Sequence, residues 1–185
     1  MKRALVVIDV QESFRQRDSW AGSSNPEIVK PVRRLTEAFR SVGVPVIWVL
    51  HEEPGTGNVF DPQRGFVRLM AGLEAAEGEP VLRKTSHNAF TTTNLQQLLT
   101  VAGVAELTLC GIRTEQCVET TARVASDLGY EVVFVTEATA TNAIEHWDGS
   151  GRTLPAEKVI ARTEYALAGR FATIKTVDEV VAALQ

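Results

Sequence analysis

The chain has 185 residues, 44% hydrophobic and 23% charged, which is an ordinary globular make-up and long enough to bury a core. A net charge of −4 and a pI near 5.5 argue against a nucleic-acid surface, which needs clustered excess Lys and Arg. The most basic stretch, Arg33-Arg34, falls in a helical pattern and reads as a solvated face.

The first element is Ala4-Leu5-Val6-Val7-Ile8, a continuous apolar run expected of a strand covered on both faces. Met1-Lys2-Arg3 ahead of it mimics a leader, but Asp9 interrupts the run too early for a signal core or a membrane span. The cytoplasm is therefore the expected location. A helix is predicted from about Glu27 to Val42, opened by Asn25-Pro26 and closed by Gly43. Val44 to Leu50 is the second strand and Pro80 to Arg83 a shorter third. Asn94 to Ala102 reads as a helix stopped by Gly103, and Glu106 to Cys110 as the fourth strand. Thr114 to Leu128 is a helix that Thr114 caps, and Glu131 to Val135 the fifth strand. Pro155 to Leu167 is another helix and Phe171 to Lys175 the sixth strand, after which Thr176-x-x-Glu179 opens a last helix as a capping box. The long connections run over 52–64 and 142–153.

Strand–helix alternation of this kind predicts βαβ units in one domain over 1–185, with a parallel sheet between helical layers. In such sheets the site lies beyond the carboxyl ends of the strands. Asp9, His51, Lys84, the turn from Gly111 to Cys117, and Glu137 all fall on that edge. An acid, an amine and a thiol converging there make a hydrolase-like set.

Each member has a plainer reading beside the chemical one. Cys117 is either a buried small apolar residue or a thiol whose pKa is lowered at a helix start. Cys110 ends a buried strand and reads as core; the two cysteines have neither disulfide-framework nor zinc spacing. Asp9 either caps the next segment or moves a proton. Lys84 is either an exposed loop lysine or a cation that holds a thiolate and a carboxylate in place. Cys117 to Arg123 has C-x5-R spacing, but the intervening residues hold no glycine to form a phosphate loop. His51, His87 and His146 are scattered and form no metal-ligand motif.

Asp9-Val10-Gln11, Lys84 with Asn88-Ala89-Phe90, then Gly111-Ile112-Arg113-Thr114-Glu115-Gln116-Cys117-Val118 and Gly129-Tyr130-Glu131-Val132 resemble the isochorismatase-like cysteine hydrolases. That group includes nicotinamidases, N-carbamoylsarcosine amidases and isochorismatases. The resemblance runs from about Leu5 to Ala140. It implies a three-layer αβα fold with a six-stranded parallel sheet in the Rossmann-like order 3-2-1-4-5-6. It also implies that Cys117 attacks a carbonyl carbon, that Asp9 accepts its proton and later serves the leaving amine, and that Lys84 orders both. The backbone N–H groups of Arg113 and Cys117 map to an oxyanion hole, and Ile112–Arg113 to a non-proline cis peptide.

Two departures narrow the chemistry. Nicotinamidases carry a metal-binding Asp-x-His and a further His after the second strand, where this chain has His51-Glu52-Glu53-Pro54. True isochorismatases lack the cysteine, so Cys117 favours an amide, carbamoyl or related acyl substrate. Phe14, His51, His87 and Arg113 are candidate walls of a substrate pocket, Arg113 pointing either into it or toward solvent or a neighbouring subunit. The expected partner is a small molecule, with no metal or organic cofactor, no nucleic acid and no membrane, in a homo-oligomer (dimer or tetramer).

Overall fold

The computed structural model describes Met1–Gln185. Its strands are β1 (Lys2–Ile8), β2 (Val46–His51), β3 (Val81–Lys84), β4 (Val104–Ile112), β5 (Glu131–Ala140), a small hairpin of β6 (Ile144–Glu145) and β7 (Thr153–Leu154), and β8 (Thr173–Ile174). The helices are α1 (Glu12–Arg15), α2 (Val29–Ser41), α3 (Leu95–Ala102), α4 (Glu119–Asp127), α5 (Ala156–Leu167) and α6 (Val177–Ala182).

Six strands pair in parallel in the order β3-β2-β1-β4-β5-β8, and β6-β7 stand apart as an antiparallel pair. The apolar run of β1 is buried because it is central, with Val6 opposite Ile47 on one side and Leu109 on the other. Alternation then divides its side chains between two cores. Leu5 and Val7 pack with Val32, Leu35 and Phe39 of α2 and Val177 and Val180 of α6. Ala4, Val6 and Ile8 pack with Leu95 and Leu99 of α3, Ala122 and Ala125 of α4 and Leu167 of α5. Helices on both faces give the three layers that were expected. No helix is long and apolar enough to cross a membrane.

Two strands outrun their expected ends. The fourth strand was expected to end at Cys110; instead β4 continues to Ile112, and Gly111 (φ +133°) pairs with Ile8 of β1. A Cβ there would sit 1.9 Å from the carbonyl oxygen of Ile8. The ladder with β5 shifts register at the same place, between Leu109 and Gly111, and β5 runs on to Ala140 rather than stopping at Val135. Gly111→Ala should therefore lower stability by about 4 kcal/mol or more, or abolish folding. Gly149→Ala, at φ +70° with open space around its Cβ position, should lose only about 1 kcal/mol. Urea unfolding of the two variants checks this; equal losses would remove the steric account.

The helices differ in detail from their sequence signals. α2 starts at Val29, because Asn25 is used to fasten the preceding turn, its Nδ2 donating to the carbonyls of Glu137 (3.0 Å) and Thr139 (3.1 Å). Thr114 is not a cap. Its hydroxyl donates to Thr139 Oγ1 at 2.8 Å, and Thr114–Val118 forms a π-helical turn ahead of α4. The capping box at Thr176 and Glu179 forms as the sequence signals.

Candidate active site

Asp9 follows β1 directly and is the one non-glycine residue with positive φ (+55°). That conformation is uncommon but tolerated by Asp, and here it is held from both sides. The Asp9 N–H donates to Val49 O (2.8 Å), and its carbonyl accepts from Gln11 N (2.9 Å). Gln11 adds a side-chain rung across the strand ends, its Nε2 donating to His51 O (2.9 Å) and its Oε1 accepting from His51 N (2.8 Å). Lys84 ends β3, with the β2 strand between it and β1, so its long stem must reach past the end of β2. It is wholly buried, with Nζ 2.8 Å from Asp9 Oδ2 and 3.4 Å from Cys117 Sγ, and it also donates to Ser86 O at 3.0 Å.

Cys117 sits in the π-helical turn between β4 and α4 and is buried. Its carbonyl accepts the Thr121 hydroxyl at 2.6 Å, and the same hydroxyl accepts Ala89 N–H at 3.1 Å. Thr121 thus ties the turn holding the thiol to the loop after Lys84. In that loop Asn88 Oδ1 accepts from the N–H groups of Phe90 and Thr91. The Ile112–Arg113 peptide bond is cis. The Arg113 carbonyl accepts from both Gln116 N and Val118 N at 3.2 Å, while the Arg113 N–H has no acceptor in the protein.

The electrostatics correct one expectation. A helix start was expected to lower the Cys117 thiol pKa. Instead burial, followed by the adjacent Asp9 carboxylate, pushes it up to about 12 against the opposing pull of Lys84. Burial also raises Asp9 above its usual range, with the Lys84 ammonium working against the rise. Apart from the Lys84 ammonium and the Cys117 thiol, neither Asp9 oxygen has a hydrogen-bond donor. The resting pair is therefore a thiol beside an acceptor with room for its proton. Cys110 lies in the core, where burial alone raises its thiol to about 12.

Around this cluster, His51 places Nδ1 3.4 Å from Lys84 Nζ and Nε2 3.1 Å from Glu53 Oε1, and stacks edge-on against Phe60. Phe14 is buried edge-on against the same Phe60 ring, with ring centroids 5.1 Å apart. His87 is exposed and forms no hydrogen bond with the cluster. The donor set does not fit a metal of the nicotinamidase kind: an ammonium faces one His51 nitrogen, Glu53 holds the other, and no group of three His, Cys, Asp or Glu side chains gathers anywhere. A cleft of about 500 Å³ lined by Met1, Val44, Pro45 and Val104 lies at the opposite, amino-terminal edge of the sheet, away from this chemistry.

Gln11 and Thr121 escaped the sequence reading as working residues. Thr121 had a usable signal: a hydroxyl four residues after Cys117 in a helix falls on the Cys117 carbonyl. Gln11 had only its place in the Asp9-Val10-Gln11 motif, because its partner is the backbone of another strand.

A parallel three-layer sheet with a buried acid, amine and thiol on its carboxyl edge marks a hydrolase architecture. The Isochorismatase domain matches residues 3–164, and the chain belongs to that family of hydrolases. It is 35% identical over 167 residues to a streptothricin hydrolase of Streptomyces noursei, covering 89% of this chain and 65% of that one. It is 30% identical over 151 residues to nicotinamidase 3 of Arabidopsis thaliana, covering 75% and 73%. The crystal structure of an isochorismatase from Pseudomonas putida superposes with a TM-score of 0.86 at 32% identity, over 96% of this chain and 89% of that one.

Proposed function

We propose that the protein hydrolyses a C–N bond of a small amide or carbamoyl compound through a thioester on Cys117. The observation that carries this reading is the contact of Lys84 Nζ with both Asp9 (2.8 Å) and Cys117 (3.4 Å) inside a buried cluster. Asp9 takes the Sγ proton as the sulfur attacks the carbonyl carbon, so a thiolate forms only with substrate in place. The developing oxyanion lies at the turn, where the unpaired Arg113 N–H, with that of Cys117, is the preorganised donor set. The proton then passes from Asp9 to the departing nitrogen. Water, activated by the same carboxylate, releases the acid and restores the thiol. Lys84 stays charged and holds the two reacting groups at a fixed separation. Nicotinamidase 3, a relative whose name denotes amide hydrolysis, supports the choice of bond. Catalysis in this scheme needs no metal.

Rapid quenching in acid during turnover of small amides, ureides and hydroxamates tests it. Intact-mass spectra should show the acyl group added to the protein and localised to Cys117. Turnover without such an adduct would sink the thioester route.

A further inference from the structure

Five arginines are half-buried: Arg3, Arg15, Arg40, Arg113 and Arg123. Four of them lie on carboxylates, on Glu106, Glu12, Glu79 and Glu119 respectively. Arg113 is the exception; its guanidinium has neither an ion-pair nor a hydrogen-bond partner. The nearest acid in the chain, Glu115, turns Oε2 to the Thr141 hydroxyl at 2.6 Å instead. Burial first, then the neighbouring positive charge of Arg17, disfavour the charged form of Arg113 and outweigh the opposing pull of Glu115 and Cys117, yet a guanidinium remains protonated. Arg17 forms no direct ion pair, although its charge is felt by the Glu53 carboxylate, and its guanidinium lies 6.0 Å from the centre of the Phe60 ring that also packs on His51. Two unpaired cations thus stand at the rim of the cluster, one on the oxyanion turn and one on the aromatic wall facing His51.

A partly desolvated cation left unpaired beside a like charge is unfavourable, and an anion between them relieves both penalties. We propose that Arg113, assisted by Arg17, forms an anion subsite of the candidate active site, and that the substrate amide carries a carboxylate near its scissile carbonyl. This rests on the amide-hydrolysis reading and adds the substrate class to it. Arg113 presents a planar fork able to take both oxygens of a carboxylate. Its backbone N–H, on the same residue, has been placed at the oxyanion. One residue thereby fixes the spacing between the charged and the scissile ends of the substrate.

The test compares binding of succinamate with that of 4-methylpentanamide, in which an isopropyl group replaces the carboxylate. Calorimetry on the Cys117→Ala protein keeps chemistry out of the measurement. Succinamate should bind at least about tenfold more tightly. The preference should vanish in Arg113→Gln, be weakened but kept in Arg113→Lys, and fall by a smaller factor in the exposed-site variant Arg17→Gln. Equal binding of the two compounds, no detectable binding of succinamate, or a preference that survives Arg113→Gln would overturn the subsite. The thioester reading fails on a different result, turnover by the Cys117→Ala protein, which leaves the binding comparison standing.

Discussion

Cys117→Ala should lower kcat by about 10⁴-fold or more on any small amide that the wild type turns over, with the fold intact. Alanine is accepted in a helical turn, and the contacts that shape this one are made by backbone groups of Arg113 and Cys117 rather than by Sγ. Cys117→Ser should be nearly as inactive, since a hydroxyl is harder to ionise than the thiol that burial and Asp9 already push up to about 12. Cys110→Ala is the control. It removes a sulfur from the closed core and should lower stability by about 1–2 kcal/mol without changing kcat. Steady-state kinetics with circular dichroism on all three variants decides the matter, and wild-type turnover by Cys117→Ala removes the nucleophile from the scheme.

Asp9→Asn and Lys84→Ala should each lower kcat by about 10³-fold or more, and neither should add to the loss in a Cys117→Ala background, because the groups act as a unit. The two differ in what they do to stability. The folded-state pKa of Asp9 is raised, so the native protein holds that proton more tightly than the unfolded chain. Ionisation of Asp9 therefore works against folding as pH rises from 3.8 through the raised value. Asp9→Asn removes that burden but leaves the buried Lys84 ammonium without a carboxylate, so the relief offsets only part of the loss and its destabilisation should be smaller than that of Lys84→Ala. Lys84→Ala instead leaves a cavity and a buried acid with no cation, a loss of about 3–5 kcal/mol. For the wild type, the same raised pKa places the acid limb of kcat/KM above 3.8, activity falling as Asp9 becomes protonated. A pH–rate profile with its limb at the ordinary aspartate value, or additive kinetic losses in the double variants, would show that the groups do not share a proton.

The parallel sheet and the three polar residues on its edge were legible in the sequence because they follow from local pattern, whereas the strand order came from the family resemblance. A continuous apolar run marks a covered strand, and the residue after it lands where ligands bind. What the pattern hid depends on contacts between distant segments. The fourth strand reads locally as ending at Cys110, and only the pairing of Gly111 with Ile8 on one side and Thr139 on the other carries it further. Thr114 reads as a cap, and only Thr139 reveals its other partner. The direction of the thiol pKa shift was misjudged for the same reason: the helix-start argument is local, whereas burial and the Asp9 charge come from elsewhere in the fold. The β6-β7 hairpin, two residues per strand, is too short to leave a periodic signal.

Asp9, Lys84 and Cys117 stand at the ends of three different strands, and the strand between β1 and β3 contributes the His51 backbone that Gln11 grips. No two of the three share a hairpin or a single βα turn. The loops that separate them must all close before the ammonium reaches either partner, which is entropically demanding and comes late in assembly. A partly assembled chain consequently presents an ordinary solvated cysteine, an ordinary aspartate and an ordinary lysine, each with its solution properties. The raised thiol pKa and the open acceptor beside it are properties of the finished sheet, so reactivity at Cys117 and completion of the fold arrive together.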